Sequence, residues 1–402
     1  MDSFKLPMTF EIKKTDILRL LIGELKHTIQ EGSFFKGLNA PAEAGVSSQY
    51  GEIMESLELK RAAALIAAPE AYAVLRSGGG SMPLEELWIH LGSAENTLAT
   101  AAAVVTETQE NFMIQYYERY QDFILSWCQA FATDPEETAP NYIPPKVELE
   151  AFLFVLHSID AFRRATFRNL LDYALTEAPA ITFSEFTSTM GDAIRSGDIR
   201  WLLPAFMVVT PGLHEVNIDL KPSYASILTD KSFLVHAQTD KPDNDVLVFG
   251  EAGRVMGVEF YRTWLQCFGF DLKVKEGSKG NDARFKTAGR LFVAPTALAN
   301  HLVSLEMTGN GRAMVNHQAY MKEQLVHKLN EVFEAALKGI PGETAQAGPE
   351  ASAEASAESN AGAAKSTVVE TKVKTKLKFC GQCGKPFAEA ALFCIHCGAK
   401  RV

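Results

Sequence analysis

The sequence predicts an α+β protein: a helix-rich, internally duplicated body of two lobes, followed by a small C-terminal metal-binding module on a flexible tether. Three observations lead to this prediction. Apolar residues recur at helical spacing in long segments and alternate in shorter ones. Large apolar side chains are almost absent from residues 341–370, and four of the six cysteines lie together near the C-terminus. The expected boundaries are 1–140 for the first lobe, 141–340 for the second, 341–371 for the tether and 372–402 for the module.

The periodicity of the body predicts individual elements. Helices are expected over residues 14–29, 53–68, 110–132, 147–176, 183–195, 253–268 and 314–337. Strands are expected over residues 87–91, 98–105, 233–238, 245–249, 271–275 and 290–293. The run from 201 to 209 is apolar enough to be buried in either conformation.

A short internal similarity suggests that the body is duplicated. Residues 122–131 align without gaps on residues 259–268, with Phe, Trp, Gln and Phe at the same offsets. An apolar run closed by a proline precedes each segment, ending at Pro69 and at Pro211. A duplication would give two related lobes with pseudo-twofold symmetry. A chance similarity between two amphipathic helices is the alternative.

The formal net charge of −10 is unevenly distributed. Residues 371–402 contain seven cationic side chains against Glu389 alone, so the body holds the acidic excess. An acidic body disfavours nucleic-acid binding, and any such contact is expected from the basic tail. The N-terminus lacks a signal-peptide pattern, and the longest apolar runs are about half of a membrane span. We therefore expect a soluble, cytoplasmic protein.

The predicted tether is an Ala-, Ser- and Glu-rich tract that begins at Pro341. Its composition offers too little apolar surface to offset the entropy of ordering the backbone. As a flexible coil of about thirty residues it would reach roughly 30 Å. The C-terminal module is therefore expected to move independently of the body.

Two Cys-x-x-Cys pairs, Cys380/Cys383 and Cys394/Cys397, are separated by ten residues. Such pairs bring their sulfurs close enough to share one tetrahedral ion at about 2.3 Å. A glycine after each pair lets backbone N–H groups turn toward the thiolates. Because so short a module has almost no apolar core, metal binding would supply its folding energy. We predict one structural Zn²⁺ held by the four cysteines; a redox-active pair is the alternative, which the two glycine-flanked knuckles disfavour.

The knuckles FCGQCG and FCIHCG resemble the zinc-ribbon family over residues 379–399. Ribbons of this family serve as protein-docking modules, as nucleic-acid contacts or as inert caps. Four lysines precede the first knuckle at alternate positions: Lys372, Lys374, Lys376 and Lys378. A solubilising run, nonspecific phosphate contact and docking on an acidic protein surface are the three interpretations of these lysines.

The body contains no Walker A, HExxH, GxSxG or EF-hand pattern. His157 and Asp160 lie one helical turn apart among phenylalanines, which favours a satisfied, partly buried pair over a catalytic dyad. Cys128 and Cys267 are expected inside helices as apolar core residues. The aromatic stripe of residues 110–132 favours core packing, with a binding groove or a dimer face as the alternative.

The order of elements gives the body a resemblance of its own. An opening helix, an apolar helix ending LIAAPEAYAVLR, two strands and a long helix, followed by a second such half, resemble the EspG-type cytosolic chaperones of type VII secretion. That resemblance implies a duplicated α+β protein that holds aggregation-prone helical clients. The zinc-ribbon tail departs from the usual form of that family.

These observations predict a non-catalytic adaptor or chaperone-like protein. Its body would bind a protein client, and its ribbon would recruit a second partner. One alternative is a nucleic-acid-associated regulator that acts through residues 372–402. Another is an enzyme of unrecognised class.

Overall fold

The computed structural model describes residues 5–38, 50–79, 82–93, 100–135, 141–174, 179–237, 245–262, 266–276, 284–308 and 311–338. Within these residues the predicted α+β class is confirmed, because helices pack on a large antiparallel sheet. The predicted tether and ribbon, residues 341–402, lie outside the described residues. No helix of the described part is both long and apolar enough to cross a membrane.

Strands and helices follow one another along the chain in a similar order in the first and second halves. The strands are β1 (Met8–Lys13), β2 (Ala71–Gly79), β3 (Met82–Ser93), β4 (Thr100–Glu107), β5 (Asn111–Tyr117), β6 (Lys146–Glu148), β7 (Ala180–Thr182), β8 (Leu234–His236), β9 (Val246–Phe249), β10 (Gln266–Glu276), β11 (Arg284–Pro295), β12 (Asn300–Met307) and β13 (Ala313–Tyr320). The α-helices are α1 (Gly51–Met54), α2 (Leu57–Ala67), α3 (Tyr120–Phe131), α4 (Leu149–Leu171), α5 (Phe183–Arg195), α6 (Leu202–Val209), α7 (Ser226–Asp230), α8 (Glu251–Arg262) and α9 (Lys322–Leu337). A π-helical turn at Arg19–Glu24 stands where the periodicity predicts a longer first helix.

Ten strands form one sheet in the order β1-β5-β4-β3-β2-β10-β11-β12-β13-β6. Strands β2 and β10 pair in the middle of the sheet. Outward from this pair, the two halves have equivalent orders, β2-β3-β4-β5-β1 and β10-β11-β12-β13-β6. Each half consists of an edge strand, a helix, a four-stranded meander and a closing helix. The two repeats therefore share one continuous sheet, and the division into separate lobes stays a prediction.

The residues that carry the repeat differ from those that the sequence suggested. Residues 122–131 lie within α3, whereas residues 259–262 end α8 and residues 266–268 begin β10. The counterpart of α3 in the sheet topology is α9. The proposed alignment is therefore wrong, because shared Phe and Trp positions suit a helix and a strand equally well.

Three predicted helices are in fact strand and helix together. Residues 110–132 form β5 and α3, residues 253–268 contain α8 and the start of β10, and residues 314–337 form β13 and α9. In β5 the buried Phe112, Ile114 and Tyr116 alternate with more exposed neighbours. That two-residue period marks a strand. The helical period of α3 begins only a few residues later, so the two patterns together resemble one long helix.

Helices cover both faces of the large sheet. On one face α3 and α9 pack on a core that includes residues of β2, β4, β10 and β12. On the other face α2 covers β4 and β5 in the first half, and α4 and α6 cover β11 to β13 in the second. The second half also inserts α5 to α8 and the small sheet β7-β9-β8 between α4 and β10. On this second face, β2 and β10 lie between the part of the sheet that α2 covers and the part that α4 covers.

Candidate functional site

A groove lies over the middle of the sheet, where β2, β3 and β10 meet Pro211, two residues after the end of α6. Successive side chains of a strand point to opposite faces, so every second residue of β2, β3 and β10 faces this groove. The register places Val74 opposite both Trp88 and Asp271, and Tyr72 opposite Lys273. We call this surface the central groove; it is lined by Tyr72, Val74, Arg76, Glu86, Trp88, Pro211, Asp271 and Lys273.

A glycine with positive φ lies beside each end of the central groove. Gly32 has φ +84°, and a Cβ there would lie 2.6 Å from the ring of Phe285. Gly212 has φ +72°, and a Cβ there would lie 2.1 Å from the guanidinium of Arg290. Both positions need the backbone freedom and the missing side chain of glycine. One wall thus comes from the first half of the chain and the other from the insertion in the second half.

An aromatic cluster covers one side of the groove. Tyr72 and Trp88 stack with ring centroids 5.2 Å apart and an interplanar angle of 11°. Phe285 packs edge-on to Tyr72 at 5.0 Å, and Phe34 packs edge-on to Trp88 at 5.7 Å. Burial raises the pKa of the Tyr72 hydroxyl, so the phenol stays neutral at physiological pH. Such pairs add to the free energy of apolar burial and hold the rings in fixed positions.

Ion pairs line the rest of the groove. Arg76 Nε lies 2.8 Å from Glu86 Oε1, and Lys273 Nζ lies 3.3 Å from Asp271 Oδ2. Arg290 Nη2 donates to both oxygens of Glu215, at 2.9 and 2.7 Å. This hydrogen bond is the main cause of the lowered pKa of Glu215. Because these positive and negative side chains are paired, the groove presents polar atoms with little net charge.

Two buried polar atoms beside the groove have no hydrogen-bond partner among the described residues: Asp271 Oδ1 and Arg290 Nε. They lie 3.9 Å apart, which is too far for a direct hydrogen bond. Buried polar atoms are almost always satisfied by protein, water or ligand. Asp271 and Arg290 are register partners on β10 and β11, and their opposite charges form an ion pair beside the groove.

The cavity of the central groove measures about 160 Å³. Sites for small molecules usually measure about 300 to 1,000 Å³. The cavity is thus better suited to an inserted side chain of a larger partner than to a whole metabolite. Its chemistry is that of a binding surface with aromatic edges and paired charges.

The predicted metal ligands Cys380, Cys383, Cys394 and Cys397 lie outside the described residues, as do Lys372, Lys374, Lys376 and Lys378. Zinc binding therefore stays a prediction. Within the described part of the chain, no group of three or more His, Cys, Asp or Glu side chains is arranged to hold a metal ion.

His157 and Asp160 are buried, as predicted, but they do not pair with each other. His157 Nε2 lies 3.0 Å from Phe186 O and 3.1 Å from the Thr189 hydroxyl, and burial lowers its pKa to about 4. The Asp160 carboxylate accepts the N–H groups of Leu202 and Leu203 at 2.9 and 2.8 Å. Asp160 is therefore the cap of α6, a structural role.

Cys128 and Cys267 are buried, and burial raises the pKa of both thiols, that of Cys128 to about 12. Their core placement confirms the prediction, although Cys267 lies on β10 and not on a helix. The aromatic stripe is also core. Trp127 packs on Phe268 and Phe270 at 4.9 and 5.1 Å.

Sequence reasoning missed the residues of the central groove. The helix predicted over residues 53–68 agrees with the end of α2 at Ala67, but no strand is predicted over β2, which begins at Ala71. The alternation of Tyr72, Val74 and Arg76 beyond Pro69 was the available signal. The partner residues on β10 lie about two hundred positions away in the sequence, and only the sheet register brings them together.

The sequence matches no protein-family model and no curated protein. Among solved structures, the fold is similar to a type VII secretion chaperone of Mycobacterium tuberculosis, EspG5, in a complex with the PE25–PPE41 dimer. The TM-score is 0.37 and the identity is 9%, over 82% of this chain and 96% of that chain.

Proposed function

We propose that this protein is a chaperone-like adaptor that binds a protein client in the central groove. The observation that supports the proposal best is the groove itself. Strands β2 and β10 meet there, and each half contributes a wall that closes on an ordered aromatic and ionic lining. Such a surface at the junction of two halves is a common location for binding sites.

The size and polarity of the groove favour a protein client. A cavity of about 160 Å³ holds one large side chain, while the stacked rings beside it offer apolar edges. Interface centres are enriched in Tyr, Trp and Arg, all of which occur here.

EspG5 is bound to a protein dimer in the structure to which this fold is similar. The proposal for this chain does not depend on that likeness. It depends on the groove residues, and it concerns protein binding without naming the client.

The four-cysteine module is the second part of the proposal. Four thiolates at this spacing match the donors that a structural zinc site prefers. Metal analysis of the full chain is expected to find about one zinc per chain, lost when Cys380 and Cys394 are both replaced by Ser. A full chain without zinc would contradict this part and leave the groove untouched.

Site-specific photocrosslinking tests the groove. A photoreactive phenylalanine replaces Arg76 in one variant, Lys273 in a second, and Lys146 in a control; Lys146 lies on the edge strand β6 and pairs with Glu306 at 2.8 Å. We expect one and the same protein to be captured from both groove positions and not from the control.

The captured protein is then purified and its affinity is measured. Arg76→Glu together with Lys273→Glu is expected to weaken binding at least about tenfold, since like charges would replace the paired ones. The charge reversal Lys146→Glu should leave affinity unchanged. Capture of unrelated proteins, or equal affinity of the groove variant, would overturn the proposal.

A further inference from the structure

A chain of buried polar side chains in the second half lies apart from the central groove. Glu259 lies on α8, His301 on β12 and His317 on β13, and all three are at most 4% exposed. His301 Nε2 is 3.0 Å from Glu259 Oε1, and His301 Nδ1 is 3.1 Å from His317 Nε2. Asn141 Nδ2 lies 3.4 Å from His317 Nδ1, and the Thr296 hydroxyl also donates to Glu259.

One arrangement of protons satisfies all of these contacts. Asn141 Oδ1 accepts the N–H of Ile143 at 3.1 Å, so the amide nitrogen of Asn141 donates to His317 Nδ1. His317 must then donate from Nε2 to His301 Nδ1, and His301 from Nε2 to the Glu259 carboxylate. Both imidazoles are neutral in this arrangement, and every donor points toward Glu259.

An added proton breaks the chain of hydrogen bonds. A proton on His301 Nδ1 would face the N–H of His317 across 3.1 Å, and a proton on His317 Nδ1 would face the Asn141 amide. Burial, with a smaller contribution from His301, lowers the pKa of His317 well below its usual value. The folded protein therefore resists the protonation that an unfolded chain accepts.

The charged groups around the two rings are few. From α8, Glu259 faces His301, and Glu251 accepts a hydrogen bond from the hydroxyl of Tyr142 at 3.0 Å. From α4, the uncharged ring of Phe152 lies 6.3 Å from that of His317. From β6, Lys146 pairs with Glu306 on the exposed surface. Among the described residues, Glu259 is thus the charged side chain that contacts a ring nitrogen of this histidine pair.

We propose that the His301–His317 pair is a pH-sensitive latch, which fastens residues 141–148 to the sheet and to α8 and opens on acidification. This segment leads into the edge strand β6, which pairs with only three residues of β13. The N–H of His317 also donates to Pro145 O at 2.9 Å. The segment is also held by the buried Ile143 and by two exposed contacts, Tyr142 with Glu251 at 3.0 Å and Lys146 with Glu306 at 2.8 Å. Loss of the Asn141 and His317 contacts would therefore loosen the segment locally without unfolding the sheet.

The direction of the pH effect follows from the lowered pKa of His317. Above about pH 6.5, the ring of His317 is neutral in the closed and open states alike, so the latch has its full strength. As the pH falls below that value, the open state binds the proton first and the equilibrium moves toward opening. His90 and His157 also have pKa values lowered to about 4, so a local measurement must distinguish the latch from global destabilisation.

Hydrogen exchange of the full chain at pH 7 and pH 5, corrected for intrinsic exchange rates, tests the latch. Opening of residues 141–148 is expected to increase about tenfold per pH unit below pH 6.5. His317→Gln should remove this dependence, because the amide hydrogen-bonds without titrating. His214→Gln, at an exposed histidine, should retain it. Unchanged pH dependence in His317→Gln would overturn the proposal.

Nitrogen-15 NMR of the imidazoles gives an independent test that requires no variant. The latch predicts that His301 and His317 are both neutral at pH 7, with the proton on Nε2. A charged ring, or a proton on Nδ1 of either residue, would contradict it.

Discussion

The two halves of the ten-stranded sheet share an order of elements but differ in what covers them. In the first half, α2 has 11 residues and packs small side chains such as Ala62 and Ala63 on the sheet. In the second half, α4 has 23 residues, and every residue from Leu149 to Arg163 is buried because α5, α6 and α8 pack around this part of the helix. A repeated sheet therefore does not determine the layers above it. The inserted elements supply one wall of the central groove and the helix that carries Glu259.

The largest expected effect concerns α6, which has no counterpart in the first half. Asp160→Ala removes the acceptor of two helix N–H groups and the partner of Arg163, which lies 3.2 Å away. Breaking such a buried pair costs about 3–5 kcal/mol, measured as the free energy of unfolding in urea. Asp192→Ala breaks an exposed pair with Arg195 and should cost less than about 1 kcal/mol. If Asp160→Ala lowered the free energy of unfolding as little as Asp192→Ala does, the contacts of Asp160 with α6 would contribute little to stability.

A smaller effect is expected where the insertion meets the middle of the sheet. A Cβ at Gly269 would lie 2.0 Å from the carbonyl oxygen of Val209 at the end of α6. Gly269→Ala should therefore lower the free energy of unfolding by about 1–3 kcal/mol. At Gly289, on the neighbouring strand, the nearest atom would be 3.6 Å away, and alanine should change stability by less than about 0.5 kcal/mol. A neutral Gly269→Ala would show that α6 does not press on β10.

The smallest effect compares the equivalent helices of the two halves. The Ser56 hydroxyl accepts the N–H of Leu59 and caps α2, whereas Glu148 makes no side-chain cap for α4. Ser56→Ala is expected to cost about 1 kcal/mol, and Glu148→Ala close to nothing. Thermal or urea unfolding of both variants checks this difference, and a larger loss for Glu148→Ala would reverse it.

The sequence predicted best the elements with a single, uninterrupted period. Residues 183–195 form α5 as expected, and most of residues 147–176 form α4. It failed where a strand runs directly into a helix, as at Tyr117 and Tyr120, because aromatic residues suit both structures. The predicted α+β class survives these errors since the hydrophobic pattern still marks the buried positions.

The groove and the latch were beyond local sequence patterns. Trp88 and Asp271 meet only through the register of β2 with both of its neighbours. His301 and His317 lie on adjacent strands, but the second of these was expected to be helix. Long-range pairing determines both sites, and a single sequence carries little information about it.

Hydroxyl-radical footprinting of the full chain, with and without the client captured from the groove, tests the central claim most directly. Binding in the central groove predicts that oxidation of Tyr72 and Trp88 falls several-fold. Oxidation of Tyr173, which is 97% exposed in the turn after α4, should stay the same. Protection of Tyr173 with unchanged oxidation of Tyr72 and Trp88 would contradict the account.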